Sequence, residues 1–464
     1  MRYRSTRGAA PLLDFEQATL AGLASDGGLY VPEAWPTLTS DDIAALAGRS
    51  YVETAVAVMT PFVAGTLTPD ELRDLCERAY SRFAHAAVAP LVQLDHDQWL
   101  LELFHGPTLA FKDVALQLVG LLFERFLAKG DRHLTVIGAT SGDTGSAAID
   151  ALAGRAGVDV FMLHPAGRVS EVQRRQMTTV LAPNVHNIAV EGNFDDAQAL
   201  VKAMFNDPEF SGRFALSAVN SINWARLMAQ VVYYFYAAVR LGAPGRPVSF
   251  AVPTGNFGNV FAGWVAARMG LPIGRLVVAT NVNDILHRAL SAGDYSRGVV
   301  ARTHTPSMDI QVSSNFERLL FELGGADGAV AAERMRGFET SGAMRIDPEH
   351  LEGAAALFAS DRVDGDDMAS AMRWAHECGG EVIDPHTGVA LAAARRAGLD
   401  GPVVTLATAH PAKFRDAVER ATGVRPALPQ RLGDLFQRKE RYVTLPATLA
   451  AVSAYIAERA TPKA

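Results

Sequence analysis

The stretch HLTVIGATSGDTGSAAIDALAG, residues 133–154, joins a β-favouring apolar run to a glycine-bearing loop and then to a helix-forming segment. The unit recurs along the chain. VDVFMLH (158–164) leads through PAGR into VSEVQRRQM, and HNIAVEGN (186–193) leads into DDAQALVKAMF. VSFAV (248–252) leads through PTGNFGN into VFAGWVAARMG, and PVVTLAT (402–408) leads through AHPAK into FRDAVERA. Strands that read as solid apolar runs, alternating with amphipathic helices, predict parallel sheets covered on both faces. In such folds ligands bind beyond the carboxyl ends of the strands, where these loops lie.

Working outward, the first ~90 residues have a different texture. SDDIAALAGRSYVETAVAVMTPFV (40–63) and TPDELRDLCERAYSRF (68–83) carry helical periodicity, with Ser40 and Thr68 ahead of acidic residues as N-caps stand. The expected organisation is a mainly helical N-terminal domain over 1–90 and a catalytic region over 91–430. That region would hold two parallel-sheet α/β lobes, the smaller spanning roughly 130–230. A helical extension over 431–464 would contain PATLAAVSAYIAERA as its one helical stretch.

Composition narrows the function. The chain has 464 residues, 49% hydrophobic and 20% charged, with a formal net charge of −7 and no basic block. Nucleic acid and anionic membrane surfaces are therefore excluded as expected partners. Cys76 and Cys378 are far apart and lack CxxC spacing, so they read as two buried thiols in a reducing compartment. The opening MRYRSTRGAAPLLDFEQATL has no apolar run of secretory type, and no stretch nears the ~18 apolar residues of a membrane span. A cytoplasmic protein is expected. No HExxH or comparable ligand spacing occurs, so no metal is expected.

Three loops could do chemistry. In PTGNFGN, Pro253–Asn259, Gly255 and Gly258 would let the backbone approach a ligand, and the helix N-terminus would offer N–H groups to an anion. A plain strand–helix connection explains this loop equally well. In TSGDTG, Thr140–Gly145, Ser141, Thr144 and the backbone amides could hold a carboxylate; an ordinary helix start with Asp143 in its first turn is the alternative. In NSINWAR, Asn220, Ser221 and Asn223 are donors at a strand–helix junction, with Arg226 one turn further on; ordinary helix caps explain the Asn and Ser residues equally well. The VVYYFYAAV that follows reads as core.

The chain holds six lysines against thirty-seven arginines. Lys112 and Lys413 both sit where loops enter helices. A lysine amine, once desolvated, can lose its proton and attack a carbonyl, which a guanidinium cannot. A snorkelling surface side chain is the alternative for either. An imine-forming lysine, a glycine-lined phosphate cup and a carboxylate-sized loop on one sheet edge together suit pyridoxal 5′-phosphate.

HGPTLAFKD, TSGDTG, NSINWAR, PTGNFGN, SMDIQVSSNFER, DPHTGVA and TAHPAKF occur in this order in the longer, bacterial and fungal threonine synthases, and the chain resembles that family over roughly residues 1–430. The resemblance implies a tryptophan-synthase-β-like, fold type II pyridoxal-phosphate enzyme. It implies that Lys112 bonds to the cofactor, that Gly255, Asn256, Phe257, Gly258 and Asn259 hold its phosphate, and that Thr408 faces the pyridine nitrogen. Asp143 would lie near the cofactor's 3′-oxygen, where many fold type II relatives carry Asn and the long threonine synthases share the Asp. Ser141, Gly142 and Thr144 would bind the substrate carboxylate. Asn220, Ser221 and Arg226, with Asn256, would bind the substrate phosphate.

The implied reaction converts O-phospho-L-homoserine and water to L-threonine and phosphate by γ-elimination and then β-addition of water. The alternative is a pyridoxal-phosphate lyase that stops at a 2-oxo acid. Lys413 receives no role beyond charge balance near the phosphates. The expected partner is a small-molecule substrate, and the expected assembly a monomer or homodimer.

Overall fold

Two parallel sheets follow from the alternation of apolar runs and helices. The computed structural model describes residues 1–463 apart from 131 and 219. The larger sheet has six strands in the order Phe358–Arg362, Ile273–Thr280, Val248–Pro253, Val403–Ala407, Gln98–Glu102, Leu91–Gln93. All neighbours are parallel except Leu91–Gln93, which is antiparallel to Gln98–Glu102. The second sheet is parallel throughout, in the order Val443–Pro446, Val185–Glu191, Val158–Pro165, Leu134–Ala139, Leu216–Ser217. Val158–Pro165 is buried along its whole length, as a strand covered on both faces must be.

The helices Lys112–Leu127 and Trp224–Arg240 are buried almost all round, and their apolar side chains join one core. A helix apolar on every side belongs inside a protein of this size. The expected aromatic core run lies in the second of these helices.

The N-terminal segment pairs Tyr3–Ser5 with Tyr30–Pro32 and adds the helices Phe15–Ala21, Ser40–Ala44, Tyr51–Val63 and Pro69–Tyr80. Each helix begins with a reciprocal cap: Asp14 with Gln17, Thr39 with Asp42, Ser50 with Glu53, Thr68 with Glu71. Thr68 caps as expected. Ser40 does not, because Thr39 accepts from the Asp42 amide and shifts the helix start one residue back. Pro69–Tyr80 buries Leu72, Leu75, Cys76, Ala79 and Tyr80, one face of a 3.6-residue period. Tyr3, Phe15, Met59 and Phe62 share the core of the two buried helices, so these residues do not enclose a core of their own.

Two further expectations need correction. The tail holds the expected helix, here Leu449–Ala457, but also the strand Val443–Pro446, which extends the second sheet beside Val185–Glu191. YVTLP is too short, and too close to a proline, to announce a strand on its own; the open sheet edge supplies the pairing. Cys76 is buried, but Cys378 is exposed near the end of the helix Gly365–Gly379.

Candidate active site

Every loop singled out in the sequence leaves the carboxyl end of a parallel strand. Three leave adjacent strands of the larger sheet: the loop to Lys112 after Gln98–Glu102, that of Thr408 after Val403–Ala407, and that of Gly255 after Val248–Pro253. The Ser141–Thr144 and Asn220–Arg226 loops follow the neighbouring strands Leu134–Ala139 and Leu216–Ser217 of the other sheet. Sheet order therefore assembles residues that lie far apart in the chain.

Lys112 is the first residue of its helix and is buried. The Phe111 N–H donates to Thr408 O at 2.8 Å, which sets the lysine beside the Thr408 loop. Its Nζ lies 3.5 Å from Asp143 Oδ2 and 4.8 Å from the Phe111 ring centre. Burial lowers the Lys112 amine; Asp143 opposes that, and the cations Lys413 and Arg226 add to it. Asp143 is held far below the usual carboxylate range. Its own burial works against that, and is outweighed by Lys413, by Lys112 and by the Gln173 amide. Lys413 Nζ lies 2.8 Å from Asp143 Oδ1 and donates to Thr108 O at 2.7 Å; Gln173 Nε2 donates to the same Oδ1 at 2.8 Å.

The TSGDTG loop is shaped by Thr140, whose Oγ1 accepts the Gly142 and Gly145 amides at 2.9 and 2.8 Å. Gly142 has φ of 135°, a conformation that suits glycine, and a Cβ there would strike the Gln173 side chain at 2.5 Å. Ser141 and Thr144 stay partly exposed at the mouth of the helix Asp143–Leu152.

The glycine turn is braced from below and from the side. Phe257 adopts a left-handed conformation, φ 62°, with its ring packed on Phe316 and Phe358. The helix Gly258–Arg268 starts immediately after it. The Asn259 side-chain oxygen accepts from the Tyr233 hydroxyl, and from Tyr234 at 3.2 Å; Tyr234 also donates to Asn259 O at 2.9 Å. Ser313 Oγ donates to Gly255 O at 2.7 Å, and Asn315 Nδ2 donates to Asn256 O at 2.9 Å.

Asn315 Nδ2 also reaches Ser221 Oγ at 3.3 Å, and Ser221 Oγ lies 3.3 Å from Ser314 Oγ. The NSINWAR and PTGNFGN loops thus meet across Ser314 and Asn315. Arg226 is buried on the first turn of its helix, and burial lowers its guanidinium to about 10, still above neutral pH. Asn220 is exposed, and its Oδ1 accepts the Ile222 amide at 3.1 Å. Asn223 caps the helix Trp224–Arg240.

Partners of the site not assigned from sequence include Thr108, Gln173, Tyr233, Tyr234, Ser313, Ser314 and Asn315. The serine–serine–asparagine run ahead of FERLLFEL is a cluster of donors at a helix start, and that was the available signal. Gln173 sits inside a polar helix and gave none.

These residues fit pyridoxal 5′-phosphate. A buried amine with a lowered proton affinity meets the requirement of the aldehyde. A glycine turn opening a helix offers amides to a phosphate. Asn259 supplies a second sign. Its oxygen is taken by two tyrosines, while its buried Nδ2 has no hydrogen-bond partner among the described residues and is available to an anion.

The family model for the threonine synthase N terminus matches residues 2–80, that for pyridoxal-phosphate-dependent enzymes residues 85–362, and that for the threonine synthase C-terminal region residues 387–456. A threonine synthase of Pseudomonas aeruginosa is 54% identical over 461 residues, covering 99% of this chain and 98% of its own. A crystal structure of PLP-bound threonine synthase from Brucella melitensis superposes with a TM-score of 0.96 at 53% identity, covering 99% of both chains. Yeast threonine synthase superposes at 0.93 with 41% identity, over 99% of this chain and 98% of its own. The chain belongs to the threonine synthase family of pyridoxal-phosphate-dependent enzymes, of fold type II.

Proposed function

We propose that the chain converts O-phospho-L-homoserine and water to L-threonine and phosphate. The observation that carries the reading is Lys112: a buried amine on the edge of the larger sheet that also bears the glycine turn, 3.5 Å from Asp143, which opens a helix of the other sheet, the sheet whose loops carry Ser141, Asn220 and Ser221. Pyridoxal 5′-phosphate, when bound, supplies an aldehyde for an amine and a ring that takes up the electrons left by a departing Cα proton.

In this reading Lys112 bonds to the cofactor. The amides of Gly255–Asn259 and the Asn259 Nδ2 would hold the cofactor phosphate, and Thr408 would offer a neutral hydroxyl to the ring nitrogen. Ser141, Gly142 and Thr144 receive the substrate carboxylate at a helix N-terminus, where the dipole favours an anion. Asn220, Ser221 and Arg226, with Asn256, receive the substrate phosphate. The Lys112 nitrogen is the group that would take the Cα proton; burial suits it to that work by disfavouring its charged form. The Arg226 guanidinium can grip two phosphate oxygens and stabilises the leaving dianion as its charge grows.

Lys112→Ala tests this. The variant is expected to lose the protein-bound visible absorbance of the cofactor and all turnover, with the fold intact by circular dichroism. Retention of both would refute the assignment. Assaying threonine against 2-oxobutyrate in the wild type separates the synthase from a lyase that stops at the 2-oxo acid.

A further inference from the structure

Of the six lysines, only Lys112 and Lys413 are buried, and both meet the same carboxylate. They approach it from different sides. Lys413 lies in the short turn Pro411–Phe414 that follows Val403–Ala407 in the larger sheet, whereas Asp143 opens a helix of the other sheet. Asp143 Oδ1 is saturated: Lys413 Nζ lies at 2.8 Å and Gln173 Nε2 at 2.8 Å. Asp143 Oδ2 is the oxygen turned to Lys112 Nζ, at 3.5 Å.

The two amines are not equivalent. Lys413 has two acceptors within 3 Å, Asp143 Oδ1 and Thr108 O. Thr108 O is itself fixed, because Gln176 Nε2 donates to it at 3.0 Å. Lys112 has one ionic contact, longer and weaker, and an aromatic face. A buried carboxylate facing Lys112 alone would hold that nitrogen protonated, since each would compensate the other's desolvation. A second cation, held on the far oxygen by Thr108 O, removes that hold.

We propose that Lys413 is a positioning residue whose amine, ion-paired with Asp143 and anchored on Thr108 O, neutralises and orients Asp143, so that the nitrogen at Lys112 is free to give up its proton and bond to the cofactor. The proposal rests on the role given to Lys112 above. The charged groups involved are few. Asp143, Lys413 and Arg226 act on Lys112. Lys413 acts in turn on the buried Asp113, whose carboxyl is pushed up to about 6 by burial and by the repulsion of Asp150, against the hydrogen bonds of Thr108 and the charge of Lys413.

The test is a pH titration of the bound cofactor's visible absorbance in the purified holoenzyme, with the pH profile of kcat/KM alongside. Lys413→Met removes the cation and leaves Asp143 facing the Lys112 nitrogen. The midpoint is expected to rise by about one pH unit or more, a tenfold gain in proton affinity. Lys413→Arg restores the charge and is expected to return the midpoint towards the wild-type value. Asp143→Asn removes the anion, leaves two cations, and is expected to move the midpoint down by a similar amount. Should Lys413→Met fail to fold or to load, Asp143→Asn decides: a midpoint unchanged or raised overturns the proposal, and a lowered one supports it. A loaded Lys413→Met with the wild-type midpoint also overturns it. A wild type that binds no cofactor through Lys112 would instead refute the assignment of that lysine.

Discussion

Gly255→Ala puts a single methyl group where the glycine turn meets its neighbour. A Cβ at that position would lie 2.5 Å from Ser307 O, 3.4 Å from Met308 Cα and 3.5 Å from Ser307 C. Non-bonded heavy atoms settle at roughly 3.5–4.0 Å, so the closest contact is about 1 Å too short. The obstacle is backbone and cannot rotate away. It is pinned on both sides: the Met308 amide donates to Thr305 O at 2.8 Å, the Ser307 amide to His386 Nε2 at 3.4 Å, and Ser313 Oγ holds Gly255 O at 2.7 Å. His386 is itself fixed by the buried Asp384 at 2.8 Å. Relief therefore requires the turn to move off the position in which its amides face the ligand. Overpacking of this kind costs about 1–3 kcal/mol. If the cost falls on the loaded state, cofactor affinity drops by about 5- to 150-fold, since 1.4 kcal/mol is a factor of ten. Equilibrium dialysis of cofactor against apoprotein measures it. Gly337→Ala is the control, because Gly337 lies inside the helix Gly328–Ser341 with nothing within 4 Å of its Cβ position. Its cofactor affinity should match the wild type. A Gly255→Ala protein that binds cofactor as the wild type does would refute the claim that this turn is the cup.

Two further outcomes follow from buried groups. Arg318→Met should lower stability by about 3 kcal/mol or more in urea unfolding, because Tyr30 O, Ile222 O and Asn315 Oδ1 each lose a buried donor; an unchanged midpoint would contradict it. His410 Nδ1 accepts the Ala412 amide at 3.1 Å, and burial, aided by Arg431 and His105, pushes the ring down to about 4. The unfolded chain takes that proton near pH 6.5, so unfolding binds a proton between the two values and stability falls on acidification through this window, by about 3 kcal/mol. His410→Asn keeps an acceptor without the titration, and should flatten the fall between pH 6.5 and 4; an identical slope would exclude His410 as its source.

Five strands of the parallel sheets were legible because they are largely apolar runs, and their loops because Gly, Asn, Ser and Thr punctuate them at the carboxyl ends; Gln98–Glu102, Leu216–Ser217, Ile273–Thr280 and the polar Phe358–Arg362 were not read. Of the four N-terminal helices, Pro69–Tyr80 was legible from its cap Thr68, and Ser40–Ala44 with an error of one residue, since Thr39 and Ser40 stand side by side and only the Asp42 amide decides between them; the caps Asp14 and Ser50 were not read. Lys112 stood out because lysine is rare in this chain and desolvated at that position. What sequence could not give is adjacency. Gln173 and Asp143 are thirty residues apart, and Lys413 and Thr108 three hundred and five. Nothing in either residue type marks the pairing, which depends on two sheets folding until their edges face one another. The strand Val443–Pro446 was illegible for the same reason, because its partner lies some 250 residues earlier.

The place of the N-terminal segment can be argued from the same long-range contacts. The loop around Ser221, expected to meet the substrate phosphate, is joined to the Asn256 turn by the loop around Ser314, and both loops are tied to N-terminal backbone or side chains. Asn223 Nδ2 donates to Thr19 O at 2.8 Å, and Trp224 Nε1 to the Tyr3 hydroxyl at 3.1 Å. Arg318 holds Tyr30 O and Ile222 O and orients Asn315, so one guanidinium spans the N-terminal strand pair and both loops. Thr6 and Arg7 bind Glu317 next to it. A carbonyl acceptor on a short strand is rigid only if the strand is, and Tyr3–Ser5 and Tyr30–Pro32 gain their rigidity from the core they share with Trp224 and Phe62. Loosening any of the N-terminal helices packed on that core would therefore reach Asn315 and Ser221 through Arg318, without touching a single residue that faces the ligand.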